Sequence, residues 1–182
     1  MKMMKRIAVY IHGKSGSVGE ANFYEPVLKG YDVTGFDYKS LTPWDAKDEF
    51  LKFFEPLCSQ YNSINIIANS IGAYFAMHSL ADLKADLKID RAFFISPIID
   101  MEQLILNMMA ASGITEKDLR DRQETVSPFG ETLSWRYLQY ARDNPVVWHI
   151  KTDILYGTND NLTSYKTISD FADRTGARLT VM

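Results

Sequence analysis

Six short apolar runs, with helical or turn segments between them, restrict how this chain can fold. Lys5–Ile11 is nearly continuous in apolar residues rather than alternating, as a strand covered on both faces should be. Tyr31–Tyr38, Ser63–Asn69, Arg91–Ser96, Thr152–Tyr156 and Arg178–Met182 read as the other strands. Between them the pattern predicts a short helix around 20–29, a long one opened by Thr42 as N-cap with Pro43 at the first helical position, and helices over 71–83 and 163–175. Such alternation folds as an α/β domain with a mostly parallel sheet, right-handed crossovers and helices on both faces, in three layers. In the long helix, Phe50, Phe53, Phe54, Leu57, Cys58 and Tyr61 mark the buried face, Cys58 reads as a buried structural thiol, and Pro56 predicts a kink.

Residues 100–148 break the alternation. They carry no strand pattern but three helical ones: Met101–Ala111 ended by Gly113, Thr115–Arg122 with a Thr115/Asp118 capping pair, and Thr132–Arg142 ended before Pro145. The expectation is a helical cap, inserted within a single 1–182 domain and lying over the carboxyl edge of the sheet. Its large apolar side chains, among them Met101, Leu104, Met108, Phe129 and Trp135, are expected mainly to hold it to the sheet, with some shaping a pocket. The 182 residues suffice for one buried core, and a net charge of −3 without a charge block argues against nucleic acid. A single cysteine excludes an internal disulfide. The apolar run in the opening MKMMKRIAVYI stops at His12-Gly13 with no cleavage pattern behind it, and no stretch approaches a membrane span. A cytoplasmic location is expected.

Chemistry in such sheets gathers at the carboxyl ends of the strands. Between Ile64 and Ala76 the chain reads as an apolar strand, a tight Ala68-Asn69-Ser70-Ile71-Gly72 turn, and a helix of small residues. A bend that sharp lifts the Ser70 hydroxyl clear of the sheet and needs small residues two positions to either side. Ser70 is also an ordinary N-cap type. The loop His12-Gly13-Lys14-Ser15-Gly16-Ser17 follows the first strand and can turn backbone N–H groups toward the same cleft. An oxyanion forming on an ester carbonyl needs two donors about 3 Å away. The N–H groups of Ile71 and Lys14 are the natural pair. Asp160 lies just past the Thr152–Tyr156 strand, follows the serine in chain order, and precedes one more strand. Asp100 is the alternative carboxylate, though it also reads as a cap for the helix behind it.

A His-Gly-x-x-Gly-Ser loop, a serine elbow and a Gly157-x-x-Asp160 turn together resemble the α/β-hydrolases, over nearly the whole chain. Ala68 departs from the commoner G-x-S-x-G, but similar A-x-S-x-G elbows occur in small bacterial lipases of that family. The resemblance implies hydrolysis of a carboxylic ester or similar acyl bond in a small-molecule substrate, without a cofactor. Ser70 would be the nucleophile and Asp160 the triad acid, with His12 and Gly13 in a supporting loop. A small carboxylesterase preferring short, uncharged acyl groups is expected.

The family carries its catalytic histidine after the last strand, in the order Ser, Asp, His. No histidine here stands in that position. His149 precedes the strand leading to Asp160 and, at about 3.3 Å per residue, falls toward the opposite edge. His78 lies roughly 12 Å along the helix after Ser70. His12 is at the correct edge but within the oxyanion loop. The expectation is that the histidine and a closing helix lie beyond Met182, and that the chain as written is a poor catalyst. One rival is a hydrolase-like domain that binds without catalysis. Another is a dinucleotide site using Gly13, Gly16 and Gly19, with Asp37 as the ribose contact. Scattered histidines give metal binding no support.

Overall fold

Local pattern and long-range pairing agree over most of the chain. The computed structural model describes residues 4–81, 88–128 and 130–182. In chain order the elements are β1 (Arg6–Ile11), a 3-10 turn (Val18–Phe23), β2 (Asp32–Phe36), α1 (Pro43–Gln60), β3 (Ser63–Asn69), α2 (Ile71–Leu80), β4 (Ile89–Ile95), α3 (Met101–Ala111), α4 (Glu116–Arg122), β5 (Glu124–Val126), β6 (Thr132–Ser134), α5 (Trp135–Asp143), β7 (Thr152–Tyr156), α6 (Tyr165–Thr175) and β8 (Arg178–Val181). The expected helix end at 82–83, Phe129 and the first three residues lie outside the described residues.

Met1–Ile99 and Val147–Met182 form one compact unit, built on six parallel strands in the order β2-β1-β3-β4-β7-β8. The chain leaves β1 to one side for β2 and returns on the other side for β3, so the strand order reverses between β1 and β3. Ligands of open parallel sheets sit at such a switch, outside the carboxyl ends. Register fixes which loops share that edge. Ile11 pairs with Phe36 and Ala68, Asn69 with Ile95, Ile95 with Leu155, and Tyr156 with Val181. The loops after β1, β3, β4 and β7 therefore leave the sheet side by side.

One face of the sheet is closed by α1 and α2, whose Phe50, Phe54, Tyr74 and Phe75 are almost fully buried. Thr42 caps α1 by accepting from the Asp45 N–H, with Pro43 in the first turn. On the other face Ala8, Tyr10 and Ile67 pack with Ala21, Tyr24 and Leu28 from the segment after the 3-10 turn. Phe93 and Ile95 on that same face are only half buried.

Asp100–Val146 is the second compact unit. Asp100 caps α3 by accepting from the Gln103 N–H at 2.8 Å, and Thr115 with Asp118 forms a capping box on α4. Arg142 of α5 reaches both Glu102 of α3 and Glu116 of α4, at 2.6 and 3.1 Å, tying the three helices together.

Several expectations are corrected. No α-helix forms over 20–29: Pro26 has no N–H for the Asn22 carbonyl and disfavours helical backbone at Glu25, so the 3-10 turn ends at Phe23 and Gly30 turns the chain at φ +85°. The second unit is not wholly helical. Its β5 (Glu124–Val126) and β6 (Thr132–Ser134) pair antiparallel, and the helix expected from Thr132 starts at Trp135, capped by Ser134. These strands have three residues each and only Leu133 is buried, so they leave no alternation to read. Helix α1 continues through Pro56, whose missing N–H leaves the Lys52 carbonyl without its helical partner on the exposed side. Cys58 is half buried, its thiol donating to the Phe54 carbonyl at 3.3 Å.

Candidate active site

Ser70 joins β3 to α2 with φ 52° and ψ −122°, a conformation that side-chain-bearing residues avoid. Such backbone costs about 1–3 kcal/mol and persists only where the surroundings over-determine it. Here they do: the Ser70 N–H donates to the Ile95 carbonyl at 3.0 Å, and its carbonyl accepts from Ala73 at 3.1 Å and Ile98 at 3.2 Å. The residue is half buried rather than sunk in the core. Ala68 is fully buried between Ile11 and Phe94 in the sheet. Gly72 is required by a close approach, since a Cβ there would stand 2.4 Å from the His12 carbonyl oxygen. At the first turn of α2 the Ile71 N–H has no acceptor within the helix.

The loop after β1 packs directly against this elbow. A Cβ on Gly13 would lie 3.1 Å from Ser70 Cβ and 3.3 Å from the Asn69 carbonyl oxygen, so the loop backbone packs closely against the elbow. Lys14 and Ser15 form an exposed turn, closed by Gly16 N–H donating to the Gly13 carbonyl at 3.1 Å, with Ser15 at φ 62°. His12 is fixed on two sides. Its ring stacks on Tyr38 at 4.4 Å, and its carbonyl accepts from the Tyr38 hydroxyl at 2.9 Å. Burial, then the charge of Glu49, pushes that hydroxyl's pKa up to about 12. His12 Nδ1 lies 2.9 Å from the Gly13 carbonyl, which can only accept, so Nδ1 carries the proton and Nε2 the lone pair. Among the described residues Nε2 is buried with no hydrogen-bond partner.

Asp160 does the turn chemistry its neighbours suggest: Oδ1 accepts from Leu162 N–H at 2.8 Å and Thr163 N–H at 3.2 Å. Its other oxygen takes no part in that turn. The Asp160 turn is linked to the serine elbow through the loop that follows β4. Thr163 Oγ1 donates to the Pro97 carbonyl at 3.2 Å, Gly157 N–H donates to Ser96 Oγ at 3.3 Å, and the next residue, Ile98, holds the Ser70 carbonyl. Ser96 has φ 39°, a second strained residue at a strand end. Burial, then the Asp160 charge, raises the pKa of Tyr156, whose hydroxyl donates to the Thr163 carbonyl at 2.9 Å. A Ser or Thr next to a strand-ending Pro is the signal that could have drawn attention to 96–98.

The structure brings the elbow, the 12–17 loop, the 96–98 loop and the Asp160 turn to one edge. His149 is exposed at the amino end of β7, the opposite edge, and His78 sits two turns into α2 against the Tyr74 ring. The glycine-rich loop leads into a 3-10 turn rather than an α-helix, so the dinucleotide layout lacks its helix N-terminus. Among the described residues no cluster of three or more His, Cys, Asp or Glu could hold a metal, and no helix is long and apolar enough to cross a membrane.

Solved structures repeat this architecture. Est1E from Butyrivibrio proteoclasticus superposes with a TM-score of 0.73 at 15% identity, over 98% of this chain and 78% of that one. The mouse α/β-hydrolase domain-containing protein 10 gives 0.70 at 15% identity, over 96% and 78%. The fold is that of the α/β-hydrolases. In sequence, the Mycoplasma genitalium protein named "Putative esterase/lipase 3" is 22% identical over 153 residues, which is 79% of this chain and 53% of that protein. The chain thus spans about half the length of that curated relative. No protein-family model matches the sequence.

Proposed function

We propose that this α/β-hydrolase chain belongs to a serine hydrolase that cleaves a small carboxylic ester through an acyl-enzyme on Ser70. The observation that carries the reading is the Ser70 backbone, strained at φ 52° and ψ −122° and packed against the Gly13 loop. Strain of this kind gathers at functional sites. Esterases among the structural neighbours and the esterase/lipase name of the sequence relative support the same chemistry.

In this reading Ser70 Oγ attacks the ester carbonyl carbon while its proton passes to a histidine. The carbonyl oxygen takes the negative charge between the N–H groups of Ile71 and Lys14. Collapse breaks the bond to the alcohol oxygen, which leaves with the histidine's proton. Water then repeats the sequence, freeing the acid and restoring Ser70. Asp160, through the oxygen not used by its turn, holds the histidine's tautomer and steadies its cation.

None of the three histidines meets the role of base. A histidine contributed from beyond Met182 would enter beside Thr158, whose N–H donates to the Met182 carbonyl at 2.8 Å in the Gly157–Asp160 turn. The coding sequence past Met182 tests this part: a histidine within about ten residues is expected. For the nucleophile, a fluorophosphonate probe should label Ser70, and Ser70→Ala should abolish labelling. Labelling elsewhere, or none, refutes the reading.

A further inference from the structure

The function proposed above leaves open what holds the exposed Lys14–Ser15 turn at a fixed distance from Ser70. Its near end rests on Gly13. Its far end is held by a line of side chains that begins next to the nucleophile. Asn69 immediately precedes Ser70, and its side chain hydrogen-bonds to the Tyr10 hydroxyl. That hydroxyl in turn donates to Glu20 Oε2. Glu20 Oε1 accepts from the Ser17 N–H at 3.2 Å and would lie 3.3 Å from a Cβ on Gly16. Tyr10 is 2% exposed, in the middle of a strand whose other inward positions are apolar. Burial, then its bond to the Glu20 carboxylate, keeps the phenol far above its ordinary pKa, so it remains a donor.

A capping box alone does not account for this arrangement. Glu20 satisfies the Ser17 N–H without help from Tyr10. A buried phenol joined to a carboxylate on one side and an amide on the other adds a rigid brace between β3 and the end of the loop. The two candidate oxyanion donors lie on its two ends, Ile71 after Asn69-Ser70, and Lys14 within the braced loop. We propose that Asn69, Tyr10 and Glu20 are positioning residues, which set the separation between the Ile71 and Lys14 N–H groups. This inference rests on the hydrolase reading of Ser70.

The test uses Tyr10→Phe and Glu20→Gln, each of which breaks one link and removes no apolar volume. Glutamine keeps an acceptor for Ser17 but offers Tyr10 an N–H where it needs a second acceptor. Two readouts are taken on the protein together with whatever residues its coding sequence carries past Met182: amide hydrogen exchange of residues 12–20, and fluorophosphonate labelling of Ser70 over a range of probe concentrations. In each variant exchange should rise within 12–20 and stay unchanged across β3 and α2. The limiting labelling rate should fall about tenfold or more, since a whole lost donor costs roughly a hundredfold to a thousandfold. Half-saturation by the probe should not move, and the double variant should be no slower than the slower single. Unchanged exchange overturns the brace. Raised exchange with an unchanged labelling rate overturns its positioning role and leaves a merely structural link. A parent chain that is not labelled at Ser70 overturns the hydrolase reading, and this inference with it. Labelled parent with insensitive variants overturns this inference alone.

Discussion

Gly72→Ala sets two effects of opposite sign against each other. Gly72 is the second residue of α2, and replacing glycine by alanine inside a helix ordinarily stabilises by about 1 kcal/mol. At this position the added Cβ would stand 2.4 Å from the His12 carbonyl oxygen, 2.9 Å from that of Ile11 and 3.0 Å from Ile11 Cγ2. Two of these atoms are backbone at the carboxyl end of β1, so no rotamer change relieves the contact. Restoring the 3.4 Å of ordinary contact from 2.4 Å requires the helix or the strand end to shift by the difference. Overpacking costs about 1–3 kcal/mol. After the helix gain the variant should lose up to about 2 kcal/mol, or up to about 8 °C of melting temperature in a domain of this size. The same shift moves His12 and Gly13 away from Ser70. A misplacement of about 1 Å can cost a hundredfold in rate, and Ser70 labelling should slow by that order. Urea denaturation at constant m-value and the labelling rate measure the two effects. A Gly72→Ala protein that is at least as stable as the parent, and is labelled at the parent rate, would refute the contact between α2 and the end of β1.

Three further outcomes are expected. Ser70→Gly should abolish labelling yet stabilise by roughly 0.5–2 kcal/mol, because relief of about 1–3 kcal/mol of strain outweighs the entropy cost of glycine; a lower urea midpoint would show that the elbow is not strained. Thr152→Val should cost about 1–3 kcal/mol: Thr152 Oγ1 accepts from buried Trp148 Nε1 at 2.8 Å, and valine leaves that donor unsatisfied. Equal melting temperatures would contradict it. On α4, hydrogen bonds from the Thr115 hydroxyl and then the Thr115 N–H hold the Asp118 carboxyl below its ordinary 3.8. A depressed folded-state pKa contributes stability above the unfolded value and loses it as pH falls through the folded one. The stability gap between parent and Thr115→Val should therefore shrink below about pH 4, and denaturation curves giving a constant gap from pH 6 to 3 would sink this account.

What could be read in advance was local in origin. Ser63–Asn69 and Thr152–Tyr156 match their strands residue for residue, since an apolar run between turn residues has few other uses. Met101–Ala111 is equally well read, bounded by a capping Asp100 and by Gly113 at φ +65°. The bend at Ser70 was legible because small residues flank it. The pairing of β5 with β6 was not, because strands of three residues are too short to show an alternation, and a Ser127 N–H bond to the Glu131 carbonyl at 2.7 Å links segments that no local pattern joins. Of the candidate site, single residues were visible, while the links through Ser96, Pro97, Ile98 and Thr163 were hidden. Those bonds join segments that lie about thirty to more than sixty positions apart in the chain, and nothing local to either partner records them.

By itself, then, the amino-acid order determined most of the sheet's strands and the longer helices, several of the residues that cap them, and that a serine would stand on a cramped turn. These follow from backbone sterics and hydrophobic period, which act within a few residues. Tertiary structure alone decided that β1 would lie between β2 and β3, that Gly13 would press on Ser70, and that Tyr10 would connect Asn69 with Glu20. Each of these is a contact between distant segments, fixed only once the sheet's strand order and register bring them within reach.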